Sequence, residues 1–315
     1  MRVLVTGVAG FVGSHLAETL LERGHDVVGV DAFIDYYPRP VKEANLAGLH
    51  GRAGFAFHER DLRSDDLRPL LDGATAIVHL AAMPGLARSW TDVELYTTCN
   101  LLATHRLVEA ALDAGVPRFV HASTSSVYGT DAVGDETSPT QPISPYGVTK
   151  LAAEHLVLAY VRTRALPATI LRYFSMFGPR QRPDMGYHIF IEAMLDGRPI
   201  TVFGDGEQSR SNTFITDCVR GTIDAIEGAE IGEIYNIAGG EELTVNAAIA
   251  TIAAAVGVEP VVLHGPPRPG DQRRTFADTT RARTAFGFRP TVGAAEGLAA
   301  QVAWHVARRG AATPR

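Results

Sequence analysis

The chain has 315 residues and a formal net charge of −6, with 46% hydrophobic and 20% charged residues. This length allows one large domain or two modest ones, and the composition is typical of a globular protein. The negative charge argues against a general nucleic-acid or anionic-membrane surface, and no apolar run is long enough to span a bilayer. Cys99 and Cys218 are too few for a disulfide framework and lack metal-ligand spacing. We therefore expect a cytoplasmic protein that binds neither nucleic acid nor membrane.

The N-terminal segment predicts a phosphate-binding turn. A short apolar run predicts a buried parallel strand, and it leads into Gly7-Val8-Ala9-Gly10-Phe11-Val12-Gly13. The glycines permit close approach of the backbone to a pyrophosphate, and the helix that follows supplies N–H donors at its N-terminus. The spacing departs from the commoner Gly-x-Gly-x-x-Gly, so the glycines could also serve only as a strand-to-helix turn.

The next two strands end in carboxylates. Asp31 follows the predicted strand 26–30, where it can accept hydrogen bonds from both adenosine ribose hydroxyls and would repel a 2′-phosphate, which favours NAD over NADP. Asp61, next to Leu62, could contact the adenine amino group. A helix N-terminal carboxylate is an equally good interpretation of Asp61.

Strands and helices continue to alternate through the first half of the chain. The predicted strand 76–82 ends in the small residues that a close cofactor approach requires, Leu80-Ala81-Ala82. A helix over 100–114 precedes the strand 118–122, which ends at Ser123-Thr124-Ser125-Ser126. This order predicts an α/β fold with a doubly wound parallel sheet whose ligands bind beyond the strand carboxyl ends.

Tyr146 and Lys150 stand four residues apart and would share one face of a helix. The ammonium group could then favour the ionised phenol, which would make the tyrosine a general base for an alcohol. The chain contains 29 Lys+Arg residues, of which only Lys42 and Lys150 are lysines. Because a lysine is retained here in an arginine-rich chain, a point charge is favoured at this position.

Together these motifs resemble the extended short-chain dehydrogenase/reductases, and specifically the NAD-dependent nucleotide-sugar epimerases and dehydratases. The resemblance covers essentially the whole chain, because later segments also match: Arg172-Tyr173-Phe174, Gly178-Pro179-Arg180-Gln181-Arg182-Pro183, Phe203-Gly204-Asp205-Gly206 and Arg268-Pro269-Gly270-Asp271. It implies a Rossmann-type NAD-binding domain over 1–174 with a return segment near 207–235. It also implies a smaller C-terminal α/β domain, mainly 175–315, that binds the nucleotide sugar.

The resemblance implies roles for individual residues. Thr124 would hydrogen-bond the reacting hydroxyl, Tyr146 would be the base, and Lys150 would lower the tyrosine pKa and hold the nicotinamide ribose. Asn100 and Tyr173 would join the cofactor site. Family dehydratases typically have carboxylates directly after the threonine, whereas this chain has serines, so elimination has no obvious acid or base. Epimerisation needs none, and we therefore expect an epimerase.

The substrate side points to a sugar that carries a carboxylate. Ser175 stands where many relatives have asparagine and leaves room near C6, and an arginine fork at Arg182 suits a carboxylate. Arg180 is more readily explained by a surface ion pair. This segment looks most like that of the UDP-glucuronate 4-epimerases. The remaining substrate contacts that the resemblance implies are Pro84, Ser125, Ser126, Thr201, Val202, Phe203, Arg210, Arg268 and Asp271.

Phe203 would contact the uracil ring, while Arg210 and Arg268 would hold the diphosphate. Relatives usually have aspartate directly after the first of these arginines, and this chain has Ser211 instead.

The predicted reaction is redox epimerisation at C4, which interconverts UDP-glucuronate and UDP-galacturonate through a 4-keto sugar. The alternatives are a UDP-glucose or UDP-N-acetylglucosamine 4-epimerase, a UDP-glucuronate decarboxylase, and a noncatalytic NAD-binding regulator on the same fold.

The family's usual dimer pairs two helices of each subunit, so we expect a homodimer. Helices over 100–114 and 147–163 would form the interface, with Leu151, Leu156, Val157 and Tyr160 on the second. No metal site is expected, because histidines such as His15, His79 and His121 lie in core-like settings and lack metal spacing.

Overall fold

The computed structural model describes residues 1–312. Its strands are β1 (Arg2–Thr6), β2 (Asp26–Asp31), β3 (Phe55–Glu59), β4 (Ala76–His79), β5 (Phe119–Thr124), β6 (Asp131–Gly134), β7 (Ala168–Tyr173), β8 (Met176–Phe177), β9 (Ile200–Phe203), β10 (Ser209–Phe214), β11 (Ile234–Ile237), β12 (Glu241–Thr244), β13 (Val262–Gly265) and β14 (Arg274–Ala277). Its α-helices are α1 (Phe11–Glu22), α2 (Arg39–Leu46), α3 (Val93–Thr97), α4 (Ala103–Asp113), α5 (Pro145–Arg164), α6 (Gly186–Leu195), α7 (Ile215–Gly228), α8 (Val245–Val256), α9 (Thr280–Phe286) and α10 (Ala294–Ala312).

A seven-stranded parallel sheet forms the centre of the molecule, in the order β11-β7-β5-β4-β1-β2-β3. Strands β4, β5 and β7 are buried along their whole length, which explains their nearly continuous apolar sequence. The chain order reverses between β1 and β4, so their carboxyl ends form the switch point where ligands of such sheets bind. The predicted doubly wound Rossmann-type α/β fold is confirmed.

A second, smaller set of strands covers this edge. A sheet in the order β12-β10-β14-β6 is joined by β8 alongside β10, and β9 pairs with β13. The chain crosses between the layers, because β6 contributes to the small sheet whereas β11 returns to the large one and α7 packs against α1. The boundary after residue 174 and the return segment at 207–235 stay predictions, and residues 313–315 of the predicted second domain lie outside the described part of the chain.

Two helices differ from their predictions. The helix expected over 100–114 begins earlier, as α3, and reaches α4 through a π-helical turn at Thr98–Leu102. On α5, Val157 is fully buried in the core against the large sheet. The prediction that Val157 belongs to a dimer surface is therefore wrong, because its side chain packs within the monomer. Within residues 1–312, none of the helices has the length and apolarity needed to cross a bilayer.

The turn between β1 and α1 leaves no room for a side chain at Gly7 or Gly13. Gly7 has a φ of 70° and donates its N–H to the carbonyl of Val30 at 2.8 Å. A Cβ atom on Gly13 would lie 2.2 Å from the carbonyl oxygen of Gly7. The turn is thus set by backbone contacts that only glycine allows.

We predict that Gly13→Ala destabilises the protein by about 2 kcal/mol, because the backbone of Gly7 must move to admit the methyl group. Thermal or chemical unfolding measures this loss. Gly186→Ala is the matched control, since a Cβ there meets only Phe190 at 3.7 Å. Equal stabilities of the two variants would contradict the packing account.

Candidate active site

A cavity opens beyond the carboxyl ends of β1, β4 and β5. Nearly all of the predicted cofactor-binding residues line it: Gly7, Gly10, Phe11, Val12, Gly13, Asp31, Asp61, Leu62, Leu80, Ala81, Ala82, Tyr146, Lys150 and Tyr173. Pro84 and Arg182 from the predicted substrate set also lie on its wall. Helix α1 begins at the cavity with no side-chain cap, so its first N–H groups suit a phosphate there.

Asp31 lies deep in this cavity. Its carboxylate accepts hydrogen bonds from the backbone N–H groups of Ala9 at 3.1 Å and Phe33 at 2.9 Å. Burial raises the pKa of Asp31, and the nearby Lys42 ammonium opposes that rise. A carboxylate has about four acceptor positions, so these two contacts leave Asp31 able to accept hydroxyl groups from a ligand.

Lys42 is a site residue that was not predicted from the sequence. Lys42 lines the cavity, and its ammonium donates to the carbonyl of Ile34 at 2.7 Å. The signal was present in the composition, because both lysines of the chain, Lys42 and Lys150, lie on the wall of one cavity.

Asp61 occupies the loop after β3 and forms an ion pair with Arg63, with Nη2 and Oδ2 2.7 Å apart. Arg63 chiefly accounts for the lowered pKa of Asp61. Both residues line the cavity, so a ligand here meets a neutralised pair. Arg63 is a second site residue that was not predicted from the sequence. It belongs to no recognisable motif, so the sequence held no signal for it.

Tyr146 stands on the first turn of α5. Ser144 caps this helix by accepting the N–H of Gly147 at 3.1 Å, and a Cβ on Gly147 would lie 2.7 Å from the carbonyl oxygen of Ser126. The turn is therefore pressed against the segment that follows Thr124. Burial raises the pKa of Tyr146, while interaction with the Thr124 hydroxyl and the charge of Arg182 oppose that rise.

Lys150 lies one turn further along α5 and is buried. Its ammonium donates to the carbonyl of Ala122 at 2.6 Å, and burial lowers its pKa to about 8 against the opposing charge of Glu154. The charges that act on the Tyr146 phenol come from other groups than Lys150. The lowering of the tyrosine pKa by Lys150, which the resemblance implies, stays a prediction.

Asn100 lies behind the cavity wall. Its amide pairs with the backbone N–H and carbonyl of Met83, at 2.6 and 3.2 Å, and donates to the hydroxyl of Thr149 at 3.0 Å. Thr149 in turn donates to the carbonyl of Tyr146 at 2.9 Å. Asn100 thus connects the π-helical turn to the loop after β4 and to the tyrosine turn. Such turns are frequent at functional sites.

Two of the hydroxyl groups at the end of β5, those of Thr124 and Ser125, have partners within the chain. Thr124 accepts the backbone N–H of Ser126 at 3.1 Å. Ser125 donates to Gln272 at 3.1 Å, and Gln272 returns a hydrogen bond to the Ser125 carbonyl at 3.1 Å. Both serines are buried. The side chain of Ser125 thereby ties the end of β5 to the loop 268–272.

Arg182 lines the cavity, and its charge acts on the phenol of Tyr146. Its guanidinium forms a two-pronged ion pair with Asp184, at 2.9 and 3.0 Å. Tyr36 also donates to Asp184 at 3.1 Å. Asp184, Arg182 and Tyr36 therefore form one polar cluster beside the candidate catalytic tyrosine.

Arg180 instead pairs with Glu18 at 2.8 Å, in agreement with its predicted ion pair.

A second group of charges lies outside the cavity wall. The guanidinium of Arg268 stands 3.5 Å from the centre of the Phe203 ring, so one ring face is covered. Burial raises the pKa of Asp271, and Arg210 and Arg268 oppose that rise. These four predicted substrate residues thus adjoin one another. The loop that carries Arg268 and Asp271 packs beside Ser144, because a Cβ on Gly270 would lie 3.4 Å from the Cβ of Ser144.

Three other predicted substrate contacts have different surroundings. Thr201 is exposed, whereas the side chain of Val202 is buried in the core of the small layer. Val202 can therefore offer a ligand only its backbone. Ser175 is half-buried, and its carbonyl accepts the N–H of Thr213 at 3.0 Å.

Four of the eleven histidines are buried: His79, His121, His188 and His305. Burial lowers the pKa of His79 to about 3 and that of His15 to about 4. Ligand atoms of His188, Glu192 and His305 lie within 4.8 Å of one another between α6 and α10. The carboxylate of Glu192 accepts hydrogen bonds from His305 and from two arginines, Arg308 and Arg309. These donors already occupy both of its oxygens, which argues for a structural role.

Comparison with known proteins places this arrangement among nucleotide-sugar enzymes. A relative from Bacillus subtilis (strain 168), named uncharacterized UDP-glucose epimerase YtcB, is 41% identical over 96% of this chain and 98% of its own. A UDP-glucuronate 4-epimerase from Thermodesulfobacterium geofontis (strain OPF15) is 34% identical over 96% and 95%. The crystal structure of UDP-glucuronic acid 4-epimerase from Bacillus cereus, in complex with UDP-glucuronic acid and NAD, is 40% identical with a TM-score of 0.95, over 98% of this chain and 100% of that one.

A family model matches residues 3–238, which include the glycine turn, the β5 hydroxyl groups, Tyr146 and Lys150. The match covers most of the chain and every residue that lines the cavity. The chain belongs to the NAD dependent epimerase/dehydratase family.

Proposed function

We propose that the protein is an NAD-dependent 4-epimerase that interconverts UDP-glucuronate and UDP-galacturonate. The observation that carries this proposal is the position of Arg182, a half-buried cation on the cavity wall whose charge acts on Tyr146. When a uronate binds with C4 at the tyrosine, its carboxylate is attached to C5, the next ring atom. The likeness to a solved UDP-glucuronic acid 4-epimerase bound to UDP-glucuronic acid and NAD supports the same assignment.

The cofactor site fits NAD. The glycine turn excludes side chains where a pyrophosphate would approach, α1 offers free N–H groups, and Asp31 can accept ribose hydroxyls. We assign cofactor contacts to the cavity-lining residues predicted from the sequence and add Lys42 beside Asp31. Asn100 acts from behind the wall, through Met83. When bound, NAD+ accepts the hydride from sugar C4 and returns it to the opposite face.

The chain's own residues handle the proton and the substrate. Tyr146 takes the proton of the C4 hydroxyl and returns it to O4 when the 4-keto group is reduced again, and Thr124 orients that hydroxyl. Lys150 holds the nicotinamide ribose. The planar 4-keto sugar then turns about its diphosphate linkage. Arg210 and Arg268 hold the diphosphate during the turn, and the exposed face of Phe203 contacts the uracil ring.

Elimination and decarboxylation are less well supported. The positions after Thr124 hold serines, and the hydroxyl of Ser125 is engaged with Gln272. A 4-keto uronate is a β-keto acid, which loses CO2 when its C5–C6 bond aligns with the carbonyl π system. We propose that Arg182 and Ser175 hold the carboxylate out of that alignment. Arg182 has five N–H donors, and Asp184 accepts one from Nε and one from Nη2, which leaves three for a ligand.

The ion pair with Asp184 also favours the second candidate, a UDP-glucose 4-epimerase. If Asp184 alone satisfies Arg182, a neutral sugar suffices at this site. The relative named UDP-glucose epimerase is consistent with that possibility.

We further propose a cytoplasmic homodimer whose interface lies on the π-helical turn and α5. Leu102 and Val148 are large apolar side chains that are 44% and 52% exposed. The elements that carry them pack against each other, so the two can contribute to one apolar face. The buried, unpaired Cys99 and Cys218 are compatible with a reducing compartment.

Incubation of the purified protein with UDP-glucuronate is expected to give UDP-galacturonate, which NMR of the anomeric protons detects. Tyr146→Phe removes the general base and is expected to lower kcat by about 10²- to 10⁴-fold. Turnover of UDP-glucose alone would favour the second candidate. Formation of UDP-xylose would identify a decarboxylase.

Arg182→Ala is expected to cost about 2 kcal/mol in kcat/KM for UDP-glucuronate, because a charged hydrogen bond is lost. The effect on any UDP-glucose turnover should be much smaller. Arg88→Ala is the control: Arg88 also approaches the Tyr36 ring but pairs with Asp92. An unchanged KM for the uronate in Arg182→Ala would refute the carboxylate assignment.

Leu102→Glu with Val148→Glu is expected to convert the dimer into a monomer, since two charges would have to be buried. Light scattering after size exclusion measures the mass. Val258→Glu replaces an equally apolar residue, 42% exposed, away from the proposed interface. A dimer that survives the double substitution places the interface elsewhere.

A further inference from the structure

A buried ion pair lies behind the candidate catalytic lysine. Glu154, one helical turn after Lys150 on α5, is 1% exposed and pairs with Arg172 of β7 at 2.7 Å. Ser123, next to Thr124 on β5, also donates to the Glu154 carboxylate. One carboxylate therefore joins the helix that carries Tyr146 to the two strands beneath it.

Lys150 is in an environment that disfavours its charge. Burial lowers its pKa, and Glu154 is the group whose charge opposes this. From β4 and β5, His79 and His121 face Lys150, and both are held neutral by burial and by the lysine. The carbonyl of Ala122 accepts one of its N–H groups. Among the groups of the described residues that act on the charge of Lys150, Glu154 is therefore the anion, one helical turn away on the same helix.

Arg172 fixes that anion without reaching the lysine. Its guanidinium also donates to the hydroxyl of Tyr128 at 2.8 Å, and Tyr128 donates to Asn236 at 2.8 Å. The register of the strands places Arg172 directly beside Ser123. The carboxylate of Glu154 is therefore held from two strands at once, in a geometry that leaves little freedom to its side chain.

We propose that Glu154 is a positioning residue that keeps Lys150 charged, and that Arg172 and Ser123 hold Glu154 for this purpose. The catalytic consequence rests on the function proposed for Lys150 above. A purely structural ion pair would stabilise the fold in the same way but would not control the protonation of the lysine. The two roles therefore differ in what a titration of Lys150 detects.

The chain allows this titration directly, because it contains two lysines. Selective ¹³C labelling of lysine gives two side-chain NMR signals, and Lys42→Arg identifies the one that belongs to Lys150. In the purified full-length protein, Glu154→Gln is expected to lower the pKa of Lys150 by about one unit, as loss of a nearby opposite charge does. Glu192→Gln is the control, because it also removes a partly buried carboxylate from an ion pair with an arginine. It is expected to leave the pKa of Lys150 unchanged.

A second pair of variants removes the guanidinium that Glu154→Gln leaves unpaired. These variants are Arg172→Gln and the double variant Glu154→Gln/Arg172→Gln. The pKa of Lys150 is expected to be higher in Arg172→Gln, because that variant retains Glu154. This comparison serves if Glu154→Gln alone does not fold. An unchanged Lys150 pKa in folded variants without Glu154, or an equal drop in Glu192→Gln, overturns the proposal.

Activity supplies a separate readout. In Glu154→Gln the alkaline limit of kcat is expected to move to lower pH together with the Lys150 pKa. The NMR titration needs no substrate, so it stands even if the protein turns over a sugar other than UDP-glucuronate. If the Lys150 pKa moves while the pH profile of kcat stays fixed, the proposed role of Lys150 fails and the link to Glu154 stands.

Discussion

The burial of Tyr146 and Lys150 on the first turns of α5 is the constraint on which the rest of the site depends. Burial disfavours the phenolate and the ammonium alike, so each group needs partners that favour its charged form. Thr124 and Arg182 act on the tyrosine, and Glu154 acts on the lysine. These partners come from different elements, and the fold brings them together at one sheet edge.

The elements around α5 are fastened to it at several points. Ser144 caps the helix, Gly147 permits contact with the backbone of Ser126, and Asn100 reaches the same turn through Thr149. The small layer closes over this assembly, since Gln272 bonds to the end of β5. Because the helical turn that carries it is fixed at these points, Tyr146 needs little rearrangement to meet its substrate, which favours catalysis by positioning.

The sequence allowed the fold and most of the cavity wall to be predicted, because glycine spacing and apolar strands are local patterns. The strand crossovers, with β6 in the small sheet and β11 in the large one, have no such local signal. The side-chain partners could not be predicted from the sequence either. The contacts of Arg182 with Asp184, of Ser125 with Gln272 and of Phe203 with Arg268 join positions that are distant in the chain or belong to no pattern. Val157 was misassigned because an apolar residue on a helix suits either a core or an interface.

The central claim is a reversible oxidation at sugar C4 that Tyr146 begins and that the bound cofactor completes. Its most direct test is to supply UDP-glucuronate carrying deuterium at C4 in ordinary water and to examine the epimerised product by NMR and mass spectrometry. The account predicts a slowed reaction and a product that retains deuterium at C4, because the same hydride returns. Loss of the deuterium to solvent would contradict it. So would a reaction whose rate is unaltered by the deuterium and whose product is inverted at C5.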